Sequence, residues 1–120
     1  MSAGGWIGVD LDGTLAEYHG WKGVDVIGAP IPAMVERVKQ WLAEGRDVRI
    51  FTARVATDDT LERLTARKHI AAWTLRHVGA ELPATNVKDF GMVELWDDRA
   101  VTVEQNTGRA LGREQPRFTP

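Results

Sequence analysis

The chain has no cysteine, no long apolar run and no large excess of either charge. Without cysteine it can form neither a disulfide nor a thiolate metal site. No apolar run approaches the roughly 20 residues that a transmembrane helix requires. Lys and Arg number 15 and Asp and Glu 17, a balance that argues against strong nucleic-acid electrostatics and against a membrane-surface binder. Residues 1–5 carry neither the basic nor the apolar region of a signal peptide, so we expect a cytoplasmic protein without membrane contact.

The length and composition predict one folded unit. The 120 residues are 43% hydrophobic and 27% charged, which is typical of a globular protein. A chain of this size buries one core, so we expect a single domain over residues 1–120. From Glu104 onward the sequence is polar and rich in Gly, Pro and Arg, and we expect an irregular surface tail over residues 104–120.

Short apolar segments alternate with amphipathic ones along the chain. The predicted strands are Trp6–Val9, Val48–Phe51 and Met92–Trp96, with Val101–Val103 as a candidate fourth. A helix is predicted over residues 34–42 with Gly45 as its stop, and residues 13–30 are predicted to be a loop or a small irregular hairpin. This alternation predicts an α/β fold with a parallel sheet and right-handed crossovers. Ligands of such sheets bind beyond the carboxyl ends of the strands.

A longer helix is predicted between the second and third strands. Residues 57–59 have the composition of a helix cap and an acidic first turn, and Gly79 is the expected end. The apolar stripe expected to face the core consists of Leu61, Leu64, Ala71, Leu75 and Val78.

The most informative motif is Asp10-Leu11-Asp12-Gly13-Thr14, directly after the first predicted strand. If the extended geometry continues, Asp10 and Asp12 point to the same side of the chain. Gly13 then permits a sharp turn. Two carboxylates at a strand exit predict a divalent-cation site with one carboxylate free to react.

This motif resembles the signature of the haloacid-dehalogenase-like (HAD) superfamily, most of whose members are Mg²⁺-dependent phosphohydrolases. The likeness extends from Ile7 to about Val103, because Thr52 follows the second strand and Asp97 and Asp98 follow the third. It implies a three-layer α/β/α Rossmann-like parallel sheet with a HAD-like core. The segments between Thr14 and Thr52 and between Thr52 and Lys88 are too short for a folded cap domain, so we expect a small capless member of the bacterial and phage type.

The resemblance also implies roles for the site residues. Asp10 is the expected nucleophile, forming an aspartyl-phosphate, and Asp12 the expected general acid and base. Mg²⁺ is expected between Asp10, the backbone carbonyl of Asp12 and an acidic residue of the pair Asp97 and Asp98. Asp97 is the favoured ligand because it directly follows the strand, which leaves Asp98 to act through a water or through other ligands.

Five further residues are expected to bind the phosphoryl group, and Arg54 is one of them. Thr52 and Lys88 would stabilise its charge, and Gly13 and Thr14 would supply backbone N–H groups. Arg54 and Arg99 compete with Lys88 for the cationic role, and Arg54 is equally suited to pairing with an acidic neighbour and holding its loop.

Simpler explanations exist for several of these residues. Asp12 is also typical of an Asx turn, Thr52 of a plain strand end and Lys88 of a solvated surface. Tyr18, His19 and Trp21 lie in the loop after the motif, where they would either line the entrance and stack on a base or sugar, or pack the loop down.

The predicted function is that of a phosphomonoester hydrolase acting on a phosphorylated small molecule or nucleotide, or on a phosphorylated macromolecule. A narrower alternative is a phosphatase for nucleotides or nucleic-acid ends. An alternative of another class is a non-catalytic partner protein that binds Mg²⁺ or phosphate. Because capless sites are open, association into a homo-oligomer is a further hypothesis.

Overall fold

The fold is built on a four-stranded sheet flanked by two helices. The computed structural model describes residues 4–112. Its strands are β1 (Trp6–Val9), β2 (Asp47–Phe51), β3 (Ala84–Thr85), β4 (Met92–Trp96), β5 (Thr102–Val103) and β6 (Ala110–Leu111). Its α-helices are α1 (Pro32–Ala43) and α2 (Thr60–Val78), and a short 3₁₀ turn covers Ala53–Val55. The sheet order is β3-β2-β1-β4 and all its pairings are parallel, so the predicted α/β class is confirmed in its Rossmann-like outline.

Strand β1 is the centre of this sheet. All four of its residues are buried. It pairs with β2 on one side and with β4 on the other, with Val9 opposite Ile50 and Trp96. A strand buried on both faces reads as a continuous apolar run, which explains why the sequence predicts it correctly.

Both helices begin and end close to the predicted places. Helix α1 carries proline in its first turn, where a missing N–H costs no helical hydrogen bond, and Gly45 follows its cap with φ 79°. The Asp59 side chain accepts a hydrogen bond from the Glu62 N–H at 2.9 Å and caps α2. Gly79 ends α2 in the left-handed conformation.

The apolar stripe predicted for α2 is wrong in its orientation. Leu61, Leu64 and Leu75 are 75%, 58% and 51% exposed, and of the predicted set only Val78 is buried. The buried line recurs every four residues and consists of Ala66, Ile70, Thr74 and Val78. Thr74 is tolerated there because its hydroxyl donates to the Ala71 carbonyl and accepts from the Leu82 N–H.

The two helices pack against the same face of the sheet. Val38 of α1 and Ile70 of α2 belong to one core with Ile7, Val9 and Ile50. Among residues 4–112 no helix covers the opposite face, so the three-layer arrangement implied by the resemblance is incomplete in this part of the chain. The reason is the short connection between β3 and β4, residues 86–91, which leaves no room for a helix.

The edges of the fold differ from expectation in two places. The fourth strand of the sheet is β3, whereas Thr102 and Val103 pair antiparallel with β6 in a separate hairpin. The predicted irregular tail therefore contains a strand, and its residues 113–120 lie outside the described part. The segment between β1 and α1 holds only isolated bridges, with no inserted domain. Neither described helix is both long enough and apolar enough to cross a membrane.

Candidate active site

The carboxyl ends of three neighbouring strands meet at one cleft. Asp10 follows β1, Thr52 follows β2 and Asp97 follows β4. Since these strands are parallel and adjacent, their ends reach the same edge of the sheet at the point where the chain order reverses. The cleft has a volume of about 770 Å³. Its lining includes Asp10, Asp12, Tyr18, Trp21, Thr52, Arg54, Glu62, Asp97, Asp98 and Arg99.

Three carboxylates form a cluster in this cleft. Asp10, Asp97 and Asp98 each offer an oxygen atom within 4.8 Å of the others. Burial raises the pKa of the Asp10 carboxyl from 3.8 to about 7, with the charge of Asp97 and the contact with Asp98 adding to the rise and a hydrogen bond from the Leu11 backbone opposing it. Without a cation, this cluster is therefore costly to ionise completely.

Asp98 is held by the motif that follows β1. The Thr14 hydroxyl donates to Asp98 Oδ1 at 2.9 Å and accepts from the Asp98 N–H at 2.9 Å. Asp97 accepts at Oδ1 from the Arg99 N–H at 2.7 Å. Both members of the pair lie in the carboxylate cluster, so the choice of Asp97 as the direct ligand stays a prediction.

The close approach of the Asp98 carboxylate requires glycine at position 13. The φ of Gly13 is 92°, which L side chains rarely adopt, and a Cβ there would lie 2.8 Å from Asp98 Oδ2. Glycine therefore permits both the turn and the close approach of the Asp98 carboxylate.

Asp12 is held in a bidentate ion pair. Arg54 Nε donates to Asp12 Oδ2 and Arg54 Nη2 to Asp12 Oδ1, both at 2.8 Å. The Asp12 side chain thus faces Arg54 while the Asp10 side chain faces the carboxylate cluster. This separation of the two carboxylates agrees with the prediction that Asp12 contributes only its backbone carbonyl to a metal site, a prediction that the geometry leaves untested.

Arg54 also ties the loop after the motif to the site. Its guanidinium donates to the Val26 carbonyl at 2.9 Å and to the Val24 carbonyl at 3.4 Å. The ring of Trp21 lies over it, with 4.8 Å between Arg54 Cζ and the ring centroid. The Arg54 side chain is only 5% exposed, so its alternative role as a loop-holding residue is present in this structure beside any role in binding phosphate.

Thr52 is buried at the end of β2. Its hydroxyl oxygen accepts from the Arg54 N–H at 3.1 Å and caps the 3₁₀ turn. The hydroxyl hydrogen is then available to an oxygen atom in the cleft. Thr52 can therefore act both as a cap and as a donor to a phosphoryl group.

Lys88 lies outside the cleft, although it is predicted to act in the site. Gly13, Thr14 and His19 do not line the cleft either, but Gly13 and Thr14 lie against Asp98, which does. Lys88 is exposed in residues 86–91 and is absent from the cleft lining. The next residue, Asp89, accepts from Trp6 Nε1 at 2.9 Å, and Trp6 begins β1 at the end of the strand opposite Asp10. Arg99, its competitor, does line the cleft.

Sequence reasoning assigned no site role to Glu62. The residue is in the first turn of α2, whose N-terminus reaches the cleft wall. Its place after an Asp cap marks a helix start, and only the tertiary packing of α2 shows that this start borders a cleft.

Comparisons with known proteins returned no relatives for this chain. No family model, no curated protein and no solved structure matches it.

Proposed function

We propose that this protein is a Mg²⁺-dependent phosphomonoester hydrolase of the HAD type, with Asp10 as its nucleophile. The observation that carries the proposal is the position of Asp10, whose carboxylate clusters with Asp97 and Asp98 at the ends of adjacent parallel strands. Thr52, which follows the neighbouring strand β2, supplies a hydroxyl in the same cleft. The sequence motif and the spatial arrangement support the same chemistry.

The carboxylate cluster fits a hard divalent cation. Mg²⁺ takes oxygen ligands and retains several waters, and this cluster offers only oxygen donors in an open cleft. The charged groups that raise the pKa of Asp10 are both carboxylates, so a cation would relieve their repulsion. When bound by Asp10 with Asp97 or Asp98, Mg²⁺ would supply positive charge for an anionic substrate and its phosphoryl oxygens.

The proposed reaction has two steps. In the first, a carboxylate oxygen of Asp10 attacks phosphorus, the bond to the leaving oxygen breaks, and a proton from Asp12 passes to that oxygen. In the second, water attacks phosphorus and gives its proton to Asp12, releasing inorganic phosphate and regenerating Asp10. The Thr52 hydroxyl stabilises charge on the phosphoryl oxygens during both steps.

The ion pair with Arg54 sets a condition on this mechanism. Both Asp12 oxygens accept from Arg54, so protonation of Asp12 requires one of these two hydrogen bonds to weaken. An incoming phosphoryl group is an alternative anionic partner for the guanidinium. The proposed role for Arg54 is therefore to hold Asp12 in the free enzyme and to bind phosphate when substrate enters.

Besides Arg54, a second cation is proposed to bind the phosphoryl group, and two residues are candidates for it. The resemblance assigns this role to Lys88, whereas Arg99 lines the cleft. Comparing Lys88→Ala with Arg99→Ala separates them. We expect the larger loss of kcat/KM from Arg99→Ala, and the reverse order would mean that residues 86–91 move towards the cleft with substrate.

A second candidate is a non-catalytic protein that binds Mg²⁺ or phosphate. The exposed position of Lys88 and the bidentate pairing of Asp12 favour it, because the resemblance gives Lys88 a part in turnover and the proposed mechanism needs a proton on Asp12. Metal-dependent phosphate binding without phosphate release would distinguish this candidate from the enzyme.

Phosphate release from a panel of phosphomonoesters tests the proposal. The wild-type protein and Asp10→Asn are each assayed with Mg²⁺ and with EDTA. We expect release that requires Mg²⁺ and is abolished by Asp10→Asn while the fold, followed by circular dichroism, is retained. Full activity in Asp10→Asn would exclude the covalent mechanism.

A further inference from the structure

The loop after the motif presents an aromatic ring at the cleft. Trp21 lines the cleft together with the Asp10 carboxylate. One face of its indole lies over the Arg54 guanidinium, at 4.8 Å from centroid to Cζ. Arg54 is in turn fixed by both oxygens of Asp12 and by the Val26 carbonyl. The Trp21 ring therefore stacks on the outside of the Arg54 guanidinium, which Asp12 holds in the site.

The stack leaves Trp21 accessible from outside. Trp21 is 58% exposed although one face of its ring covers Arg54, whose side chain is only 5% exposed. Tyr18, 48% exposed, lines the same cleft. Planar rings bind to such surfaces by stacking, and a platform that is already held in place loses little entropy on binding.

The charges of the cleft restrict what else the ligand can carry. Beside the three clustered carboxylates, the lining contains Asp12 and Glu62, with Arg54 and Arg99 as its cations. Arg54 is already paired with Asp12. A polynucleotide needs a row of cations along its backbone, which this lining lacks. One phosphate at Asp10 and one uncharged ring at Trp21 match the cleft better.

We propose that the substrate is a phosphate monoester whose leaving group carries a planar ring, as in a nucleoside monophosphate, and that this ring stacks on Trp21. This inference rests on the proposed phosphatase activity for its reaction. It assigns Trp21 a role in substrate binding while Arg54 supports the ring from behind.

The test compares AMP with ribose 5-phosphate, which share the phosphate and sugar and differ in the ring. Both are assayed with the wild-type protein, Trp21→Ala and Trp21→Phe. We expect kcat/KM for AMP to exceed that for ribose 5-phosphate about 5- to 150-fold, the range that stacking of one base provides. Trp21→Ala should remove this preference mainly through KM, and Trp21→Phe should retain most of it.

Phe90→Ala is the matched control. Phe90 is fully exposed in residues 86–91, outside the cleft, so its removal should leave the preference for AMP unchanged. Equal kcat/KM for the two substrates, or a preference that survives Trp21→Ala, would overturn the proposal. A 5′-phosphorylated oligonucleotide that is a better substrate than AMP would also overturn it.

Failure of the proposed phosphatase activity can be distinguished from failure of the proposed stacking on Trp21. If no compound releases phosphate, the hydrolase proposal fails, and the platform is then tested by calorimetric binding of AMP with Mg²⁺. Binding that Trp21→Ala weakens at least about fivefold would support the platform without turnover. Absence of binding to the wild-type protein would overturn it.

Discussion

Arg54 binds both carboxylate oxygens of Asp12 across 42 positions of sequence, with each N–O distance at 2.8 Å. The Arg54 side chain is almost completely buried, and other N–H groups of its guanidinium donate to the loop carbonyls of Val24 and Val26. Truncation of one partner of a buried ion pair leaves the other charge uncompensated. The pair therefore links the first motif, the end of β2 and the loop before α1 into one unit.

The role of Asp12 in proton transfer can be separated from its role in holding Arg54. We expect Asp12→Asn to lower kcat/KM for an alkyl phosphate about 10²- to 10⁴-fold, since its leaving oxygen requires a proton. The loss for p-nitrophenyl phosphate should be at least about tenfold smaller, because nitrophenolate leaves without protonation. The measurement is kcat/KM for the two substrates in the wild type and the variant. This quantity covers only the steps up to loss of the leaving group, whereas kcat also includes the second step, in which Asp12 is the base for both substrates.

Arg54→Lys is the control for that experiment. Lysine retains the charge but cannot form the bidentate pair with Asp12. We expect it to affect both substrates by a similar factor, because it disturbs position rather than proton transfer. Equal losses for both substrates in Asp12→Asn would show that Asp12 acts only through Arg54.

Gly13→Ala should weaken metal binding. The new Cβ would lie 2.8 Å from an oxygen of Asp98, so the carboxylate must move away from the cluster. We expect the Mg²⁺ concentration for half-maximal activity to rise about tenfold or more, as happens when groups that orient metal ligands are displaced. A titration of activity against Mg²⁺ measures it.

Gly45→Ala is matched to this variant because Gly45 also has positive φ, 79°, but open space around its Cβ position. It carries the same kind of backbone strain, about 1 kcal/mol, without the contact with Asp98. An unchanged Mg²⁺ dependence is expected for Gly45→Ala. A similar shift in both variants would mean that strain, not the Asp98 contact, is responsible.

The metal-free protein should lose stability as pH rises. The pKa of Asp10 is about 7 in the folded protein and 3.8 when unperturbed, so the folded state binds the proton more tightly. This contribution is fully present below about pH 4 and is lost as pH rises through about 7. We expect the midpoint of thermal unfolding in EDTA to fall over that range in the wild type.

Asp10→Asn removes the titrating group, so its unfolding midpoint in EDTA should depend less on pH over the same range. Added Mg²⁺ should raise the wild-type midpoint most at the upper end of the range, where Asp10 is ionised and available to the cation. Parallel pH profiles for the two proteins would contradict the assignment to Asp10.

Thr74→Val should destabilise the fold. The substitution keeps the shape of a fully buried side chain but removes the acceptor of the buried Leu82 N–H. An unpaired buried N–H costs about 1–3 kcal/mol. Urea unfolding should give a lower midpoint with an unchanged slope. In Thr65→Val, which removes only a hydroxyl that donates to the Leu61 carbonyl on the outer side of α2, the loss should be smaller.

Strands β1, β2 and β4 and the helix ends were predictable because their signals are local. Trp6–Val9 is an unbroken apolar run, Asp59 has a side chain that caps the following N–H groups, and Gly79 accepts the left-handed conformation. The same locality limited the prediction for α2. Its leucines recur at helical spacing, yet the helix turns Ala66 and Ile70 inward, since hydrophobic spacing defines a stripe without saying which stripe the sheet will cover.

The sequence by itself determined that Asp10, Thr52 and Asp97 would follow strands, and hence that they would lie at one edge of a parallel sheet. Only the tertiary structure decided which side chains the charged residues contact. It paired Asp12 with Arg54, put Trp21 over that pair and left Lys88 outside the cleft. Strand exits follow from backbone direction, which neighbouring residues encode. Side-chain partners depend on how loops of fixed length cross the sheet, which no local pattern records.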